Sequence, residues 1–240
     1  MNQIPKTWWP LGLLVVITFL TLGCSSKGPE RNVGEPKETE SGEEVILPEP
    51  QYESDTPLEE ALRQRRSIRD YGEEPLTLAE VGQLLWSAQG ITNQRGYRTA
   101  PSAGALYPLE LYVVVGEVER LSPGVYHYDP QSHALERTGD GDRRQALASE
   151  ALGQASVRRG AIDIVFTAIY ERTTDKYGHR GRRYAHMEAG HAAQNVYLQC
   201  VSLELGAVVV GAFRDKSVQD VLELPEERVP LYIMPVGRLP

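Results

Sequence analysis

Three regimes of apolar and polar positions succeed one another along the chain. Residues 11–22, LGLLVVITFLTL, form an apolar run; a Glu-, Pro- and Gly-rich stretch comes next, with no apolar pattern before VIL at residues 45–47; from Thr56 onward the pattern turns periodic. PLEEALRQRRS predicts a short helix, with Thr56 as N-cap, Pro57 at the first helical position and Glu59 and Glu60 in the first turn. PLTLAEVGQLLWSAQGI predicts a second helix, capped by Thr77 and carrying Leu78, Val81, Leu84 and Leu85 at helical spacing. ITNQRGYRTAPSAGALYP reads as loop with a single helical turn.

LELYVVVGE and GVYHYDP predict two strands, the second opened by a Ser-Pro-Gly turn. Residues 142–153 predict a helix, and the near-continuous apolar AIDIVFTAIY predicts a strand at the centre of a sheet. RRYAHMEAGHAAQNVYLQCVSLEL predicts the longest helix, apolar over much of its circumference and therefore buried. GAVVVGAF predicts a short buried strand, SVQDVLEL a helix and VPLYIMPVG a closing strand. Helices and strands mix without regular βαβ alternation, which makes the class α+β.

The chain's 240 residues suffice for one domain with a sizeable core. Lys6 precedes the apolar run, which is shorter than the about 20 residues a spanning helix needs. A charged start, a short apolar stretch and small residues after it predict a secretory signal over residues 1–23. The TLGCSS that ends it resembles the lipobox of bacterial lipoproteins. That resemblance implies cleavage before Cys24, lipidation of Cys24 and a membrane anchor in the cell envelope, outside the cytoplasmic membrane.

Charge sets the residues after Cys24 apart from the rest. Residues 25–55 hold nine acidic and three basic side chains, a net of −6 out of the chain's −8, and with Lys6 set aside the remainder carries −3. Residues 24–55 are thus expected to be a disordered, self-repelling tether, and residues 56–240 the folded domain. A domain this mildly acidic excludes nucleic acid as a general partner. Cys24 and Cys200 are the only cysteines; with Cys24 lipidated, Cys200 reads as a buried, unreactive thiol and the fold stands without a disulfide.

Against this acidic background RQRRSIRDY places Arg63, Arg65, Arg66 and Arg69 around Ser67, where the first helix gives way to extended chain. Guanidinium groups and a hydroxyl suit a phosphate monoester, although cations at a helix C-terminus are also favoured by the macrodipole alone. Their company decides. RRSIRDY is followed by APSAGALYP, by a long helix containing GHAAQN, and by VVVGAF. This ordered set resembles the FMN-dependent nitroreductase superfamily, closest to its SagB-type branch of dehydrogenases in thiazole- and oxazole-forming peptide maturation. The resemblance covers roughly residues 58–237.

It implies a nitroreductase-like fold: a central mixed sheet flanked by helices, with the long buried helix at a homodimer interface. It implies that Arg65, Arg66 and Ser67 hold the FMN phosphate and ribityl end, and that Arg69 approaches the pyrimidine edge of the ring, where a cation stabilises the reduced flavin. Pro101, Ser102 and Ala103 would line the flavin from the partner subunit, with Ala105 where relatives often carry a polar residue. Gly211 and Ala212 would bring a backbone N–H to flavin N5, as the catalytic positions. Many members add a basic residue to the phosphate from a C-terminal tail; here Arg238, or else Arg214, is expected to substitute, and Arg63 is left to solvent.

Other chemistry in the sequence is weaker. His186 and His191 stand about 140° apart on a helix, which no zinc pair shares, and His191 is expected to pack or cap. GDGD at residues 139–142 lacks a calcium loop's downstream glutamate, and no GxGxxG or Walker A stretch follows a strand. Tyr170, Tyr177, Tyr184 and His179 are candidates for a substrate pocket. The function expected is hydride transfer through flavin N5, as a SagB-like dehydrogenase of a small-molecule or peptide-derived substrate, or as a nitro or quinone reductase. The alternative is a non-catalytic lipoprotein that keeps the fold as a binding module.

Overall fold

In a computed structural model, Gly42 and residues 44–240 are described, and all of them fall within one compact unit. The secretory signal, Cys24 and most of the acidic stretch lie outside the described residues. Among the described residues seven strands form one sheet: β1 (Glu44–Ile46), β2 (Leu109–Val115), β3 (Gly124–Asp129), β4 (Ala134–Asp140), β5 (Ile162–Ala168), β6 (Leu205–Ala207) and β7 (Val229–Arg238), in the order β1-β4-β3-β2-β5-β7-β6. All pairings between these strands are antiparallel, and a parallel component enters through the isolated bridge Leu76↔Val118. The β5 strand is buried at every position between β2 and β7, as its continuous apolar run predicts.

Among the same residues seven helices flank the sheet: α1 (Leu58–Gln64), α2 (Leu78–Gln89), α3 (Arg144–Glu150), α4 (Ala155–Arg159), α5 (Glu171–Tyr177), α6 (Arg180–Ser202) and α7 (Asp215–Val221). One sheet face buries Leu111, Val113, Ile162, Ile164 and Phe166 against α2 and α6, the larger core. The other buries Tyr112, Val114, Val165 and Ile233 against α3 and α7. Alternate residues of β2 and β5 thus supply two cores, which is why those strands read as apolar runs.

Three expectations change. The folded domain begins before Thr56, because Glu44–Ile46 pair with Ala134–Glu136 and Leu47 is buried. Residues 48–51 continue over α2, where Gln83 Oε1 accepts the Gln51 N–H at 2.8 Å and Gln83 Nε2 donates to the Gln51 carbonyl at 3.0 Å. Helix α1 begins one residue later than expected, since Pro57 is extended (φ −60°, ψ 148°) and itself takes the N-cap position that Thr56 was given. Helix α6 is buried on one side only in the single chain: Ala185, Ala189, Ala192, Ala193 and Val196 face inward, while Met187 and His191 are exposed. His191 therefore neither packs nor caps within its own chain. By contrast, Thr77 caps α2 as expected, in a reciprocal capping box with Glu80.

Candidate cofactor site

The residues after α1 run as extended chain along the open edge of β6. Ile68 N–H donates to the Ala207 carbonyl at 2.8 Å, and Gly72 N–H to the Arg238 carbonyl at 3.1 Å. The approach is close enough to require glycine opposite. A Cβ on Gly206 would stand 2.7 Å from the Ile68 side chain, and one on Gly237 would stand 2.8 Å from Tyr71 Cβ. The Tyr71 hydroxyl then donates to the Pro235 carbonyl at 3.2 Å, fixing the segment to β7.

The four arginines part company here. Arg63 pairs with Glu60 on the α1 surface. Arg66 turns back, its Nη1 donating to the Arg63 and Arg65 carbonyls at 3.0 and 2.8 Å, so it closes the α1 C-terminus. Arg65 lies over the Tyr197 ring at 5.2 Å, and Ser67 Oγ is 3.4 Å from the Tyr197 hydroxyl. Arg69 is exposed. Of the basic residues expected to replace a C-terminal tail, Arg238 is held by Glu80 at 2.5 and 2.9 Å and Arg214 by Glu150 at 3.1 Å. The Glu80 carboxyl is correspondingly held low: burial raises it, but the bonds from Arg238 and Thr77 outweigh burial. Arg238 thus anchors the start of α2 to the end of β7.

Tyr197 joins this end of the site to the next. Its hydroxyl accepts the Val209 N–H at 2.7 Å. After β6 the chain stays extended, with Val208 N–H and Val210 N–H donating inward to the Pro235 and Ile233 carbonyls. The alternation of an extended strand therefore points the Val209 and Gly211 N–H groups outward together. Gly211 and Ala212 are exposed, and neither N–H has an acceptor among the described residues. Ser67, Tyr197, Val209 and Gly211 thus follow one line along the β6 edge, with Gly211 roughly 7 Å beyond Val209.

Pro101, Ser102 and Ala103 stand on the loop between α2 and β2, and the loop's backbone is special. Gly104 (φ 67°), Ala105 (φ 53°) and Tyr107 (φ 45°) all lie in the left-handed region, which the two non-glycine residues occupy at a cost of about 1 kcal/mol or more each. Tyr107 is the hub that holds them. Its N–H donates to Ser102 Oγ at 2.9 Å, its carbonyl accepts from Arg172 at 2.9 Å, and its ring carries the Arg98 guanidinium at 4.6 Å. Gly104 faces Lys176 and Tyr177 of α5: a Cβ there would stand 2.6 Å from the Tyr177 hydroxyl and 2.9 Å from Lys176 Nζ. Of the pocket candidates, Tyr177 and Tyr184 stack edge to face at 5.2 Å, Tyr170 is core and bonds His186 at 2.6 Å, and His179 is exposed.

A groove of about 590 Å³ runs beside the arginine segment, lined by Arg66, Ile68, Tyr197, Ala207 and Arg238 among others. A larger one, about 1030 Å³, lies between residues 51–64, α2 and α6 and touches none of the predicted site residues. Of the predicted site residues the first takes in only Arg66 and Arg238, while Arg65, Ser67, Arg69, Gly211 and Ala212 lie outside its lining. Tyr197, Tyr107 and Lys176 were not singled out by sequence reasoning for this region. Only Tyr107 carried a signal, as the tyrosine of GALYP.

Known proteins share the sequence and the fold of this chain. The model of the Nitroreductase family matches residues 62–238. A nitroreductase-type protein of Methanocaldococcus jannaschii is 49% identical over 181 residues, covering 75% of this chain and 90% of that one. The microcin B17-processing protein McbC of Escherichia coli is 34% identical over 170 residues, 68% of this chain and 62% of the relative, so the chain spans less than two thirds of it. Among solved structures, a nitroreductase-type protein of Ralstonia eutropha superposes with a TM-score of 0.72 at 31% identity, covering 90% of this chain and 96% of that one. The Escherichia coli microcin synthetase McbBCD complex, solved with truncated pro-MccB17 bound, contains a chain with a TM-score of 0.63 at 26% identity, covering 75% and 73%.

Proposed function

The chain belongs to the nitroreductase family, and on that premise we propose that it is an FMN-dependent oxidoreductase whose cofactor lies along the β6 edge. The observation that carries this reading is the line from Ser67 through Tyr197 to the outward N–H of Gly211, which sets anion-binding groups at one end and free backbone donors at the other. FMN bound there would supply two-electron hydride chemistry at its N5 atom. Arg65 and Ser67 would hold its phosphate by charge-assisted and neutral hydrogen bonds. The exposed guanidinium of Arg69 would stand by the pyrimidine edge and offset negative charge developing there. Gly211 and Ala212 would offer their unpaired N–H groups to the ring, which only small side chains allow to come so close.

The second wall would come from Pro101, Ser102 and Ala103 of a partner subunit, which makes the working unit a homodimer. Lys176 Nζ and the Tyr177 hydroxyl, converging on Gly104, are then the polar groups nearest a substrate lying over that wall. For the substrate, similarity to a microcin-processing protein supports a SagB-like dehydrogenase acting on a peptide-derived ring. The lipobox supports the same choice over a conventional NAD(P)H-fed nitroreductase, because lipidated Cys24 would hold the domain outside the cytoplasmic membrane, away from the nicotinamide pool. Replacement of Cys24 by serine is expected to release the protein from membranes.

The deciding experiment is the visible spectrum of the purified full chain. Flavin bands are expected, and Arg65→Ala with Arg69→Ala is expected to weaken FMN binding about 100-fold through lost charge-assisted contacts. A colourless protein that ignores added FMN would overturn the enzyme reading and leave a non-catalytic binding module.

A further inference from the structure

The loop that carries Pro101, Ser102 and Ala103 is held from a face of the sheet to which the proposed function gives no task. Glu110 is the lone charge in β2, and it shares a face with Tyr112 and Val114, the face that packs on α3 and α7. Its side chain is 12% exposed, and each of its carboxyl oxygens has a partner of its own. His127 Nε2, from β3, meets Oε2 at 2.6 Å, and Arg172 Nη2, from α5, meets Oε1 at 2.6 Å. Burial raises the Glu110 carboxyl, but the bonds from His127 and Arg172 outweigh burial and hold it below its ordinary value. An ionised carboxylate only accepts, so His127 Nε2 carries the hydrogen. A carboxylate gripped at both oxygens cannot turn, and the Arg172 guanidinium is fixed with it.

The other end of that guanidinium reaches the loop. Arg172 Nη1 donates to the Tyr107 carbonyl at 2.9 Å, so one planar fork bridges β2 and the last left-handed residue of the loop. Among the described residues it is the one hydrogen bond of Tyr107 that leaves the loop: its N–H goes to Ser102 Oγ, and its hydroxyl accepts the Arg98 N–H at 3.3 Å. The backbone behind Arg172 is pinned as well, because Thr173 is wholly buried and its Oγ1 donates to the carbonyl of the core residue Tyr170 at 3.0 Å. Arg98 of the loop also feels the Glu110 charge, but its guanidinium lies on the Tyr107 ring and bonds Gln89. A left-handed tyrosine persists only where its surroundings over-determine it. We propose that Glu110 is a positioning residue that, through Arg172, holds the Tyr107 carbonyl and with it the left-handed turn that sets where Ser102 stands.

That this loop borders a flavin rests on the function proposed above; the hold of Glu110 on the loop does not. Amide hydrogen exchange in the full chain reads that hold directly. Glu110→Leu keeps the bulk of the side chain and removes both acceptors, and Arg172→Ala removes the fork. Each is expected to speed exchange of the Ala105 and Tyr107 amides, both bonded to Ser102, about tenfold, while residues 111–115 of β2 keep their protection. The double variant is expected to match Arg172→Ala, because both changes act along one path. Glu110→Gln, which still offers Arg172 an acceptor, is expected to restore most of the protection. Should Glu110→Leu not fold, Arg172→Ala decides, since that side chain is 37% exposed. Unchanged exchange at Ala105 and Tyr107 in Arg172→Ala overturns the proposal, as does a rise spread equally over β2, or additive effects in the double variant. In protein loaded with FMN, Glu110→Leu is expected to weaken binding about tenfold, although Glu110 is no part of the cofactor line. If the protein takes up no flavin, the cofactor reading fails while hydrogen exchange still decides the hold on the loop.

Discussion

Asp163 sits in the middle of β5, wholly buried, with no hydrogen-bond partner for either oxygen among the described residues. Burial raises its pKa well above the ordinary value of 3.8, Arg144 pulling the other way and Asp142 adding to the rise. The folded state therefore keeps a proton that the unfolded chain releases, so stability falls as pH climbs above about 4, by up to about 1.4 kcal/mol per pH unit. Asp163→Asn removes that dependence, and the Tm gap between variant and wild type is expected to widen with rising pH. Tyr197→Phe acts in the other direction. It leaves the Val209 N–H without its acceptor at a cost of about 1–2 kcal/mol, read as a lower Tm, and it slackens the hold on Ser67, read as weaker FMN binding. At this scale the sequence was informative where residues are neighbours in the chain, as in RRSIRDY. It was silent on Tyr197, because which side of a 23-residue helix faces the site is settled by packing against α2 and the sheet.

Among elements, the strongly periodic ones could be read directly: α2 with its capping box, β2, β5, α6 and β7. The misses share a cause. β4 (ALERTGD) has polar residues and a glycine, and it exists as a strand because β3 and β1 flank it. Helix α4, of five residues, is too short for a periodic pattern to declare itself, and α5 (ERTTDKY) buries only Thr173 and so carries no apolar stripe. GAVVVGAF was read as a strand throughout, but β6 ends at Ala207, and beyond it Val208 and Val210 alone keep backbone bonds to β7. The close approaches carry consequences of their own. Gly206→Ala pushes Ile68 off β6 and is expected to cost about 1–3 kcal/mol while loosening the arginine segment, measured by denaturant unfolding and FMN titration in parallel. Thr77→Ala is expected to cost about 1 kcal/mol and to leave FMN affinity unchanged, which separates loss of stability from loss of the site.

For the molecule as a whole, the exposed apolar residues are informative. Leu58 and Leu62 share one side of α1 at 60% and 52% exposure, and Met187 stands 53% exposed on the outer side of α6. A homodimer covering these surfaces is expected by size-exclusion chromatography with light scattering, and Leu62→Asp with Met187→Asp is expected to shift it to monomer and to weaken FMN binding.

The arginine segment also does something for the sheet that has nothing to do with phosphate. β6 is an edge strand, and an open edge is a template on which another chain can grow a ladder. Ile68 and the Tyr197 hydroxyl occupy the outward Ala207 carbonyl and Val209 N–H, so the segment proposed to hold FMN is also the edge's cover. Filling the site and protecting the sheet from self-association become one equilibrium. Variants that lose the ligand should therefore betray themselves first as turbidity, before any loss of secondary structure.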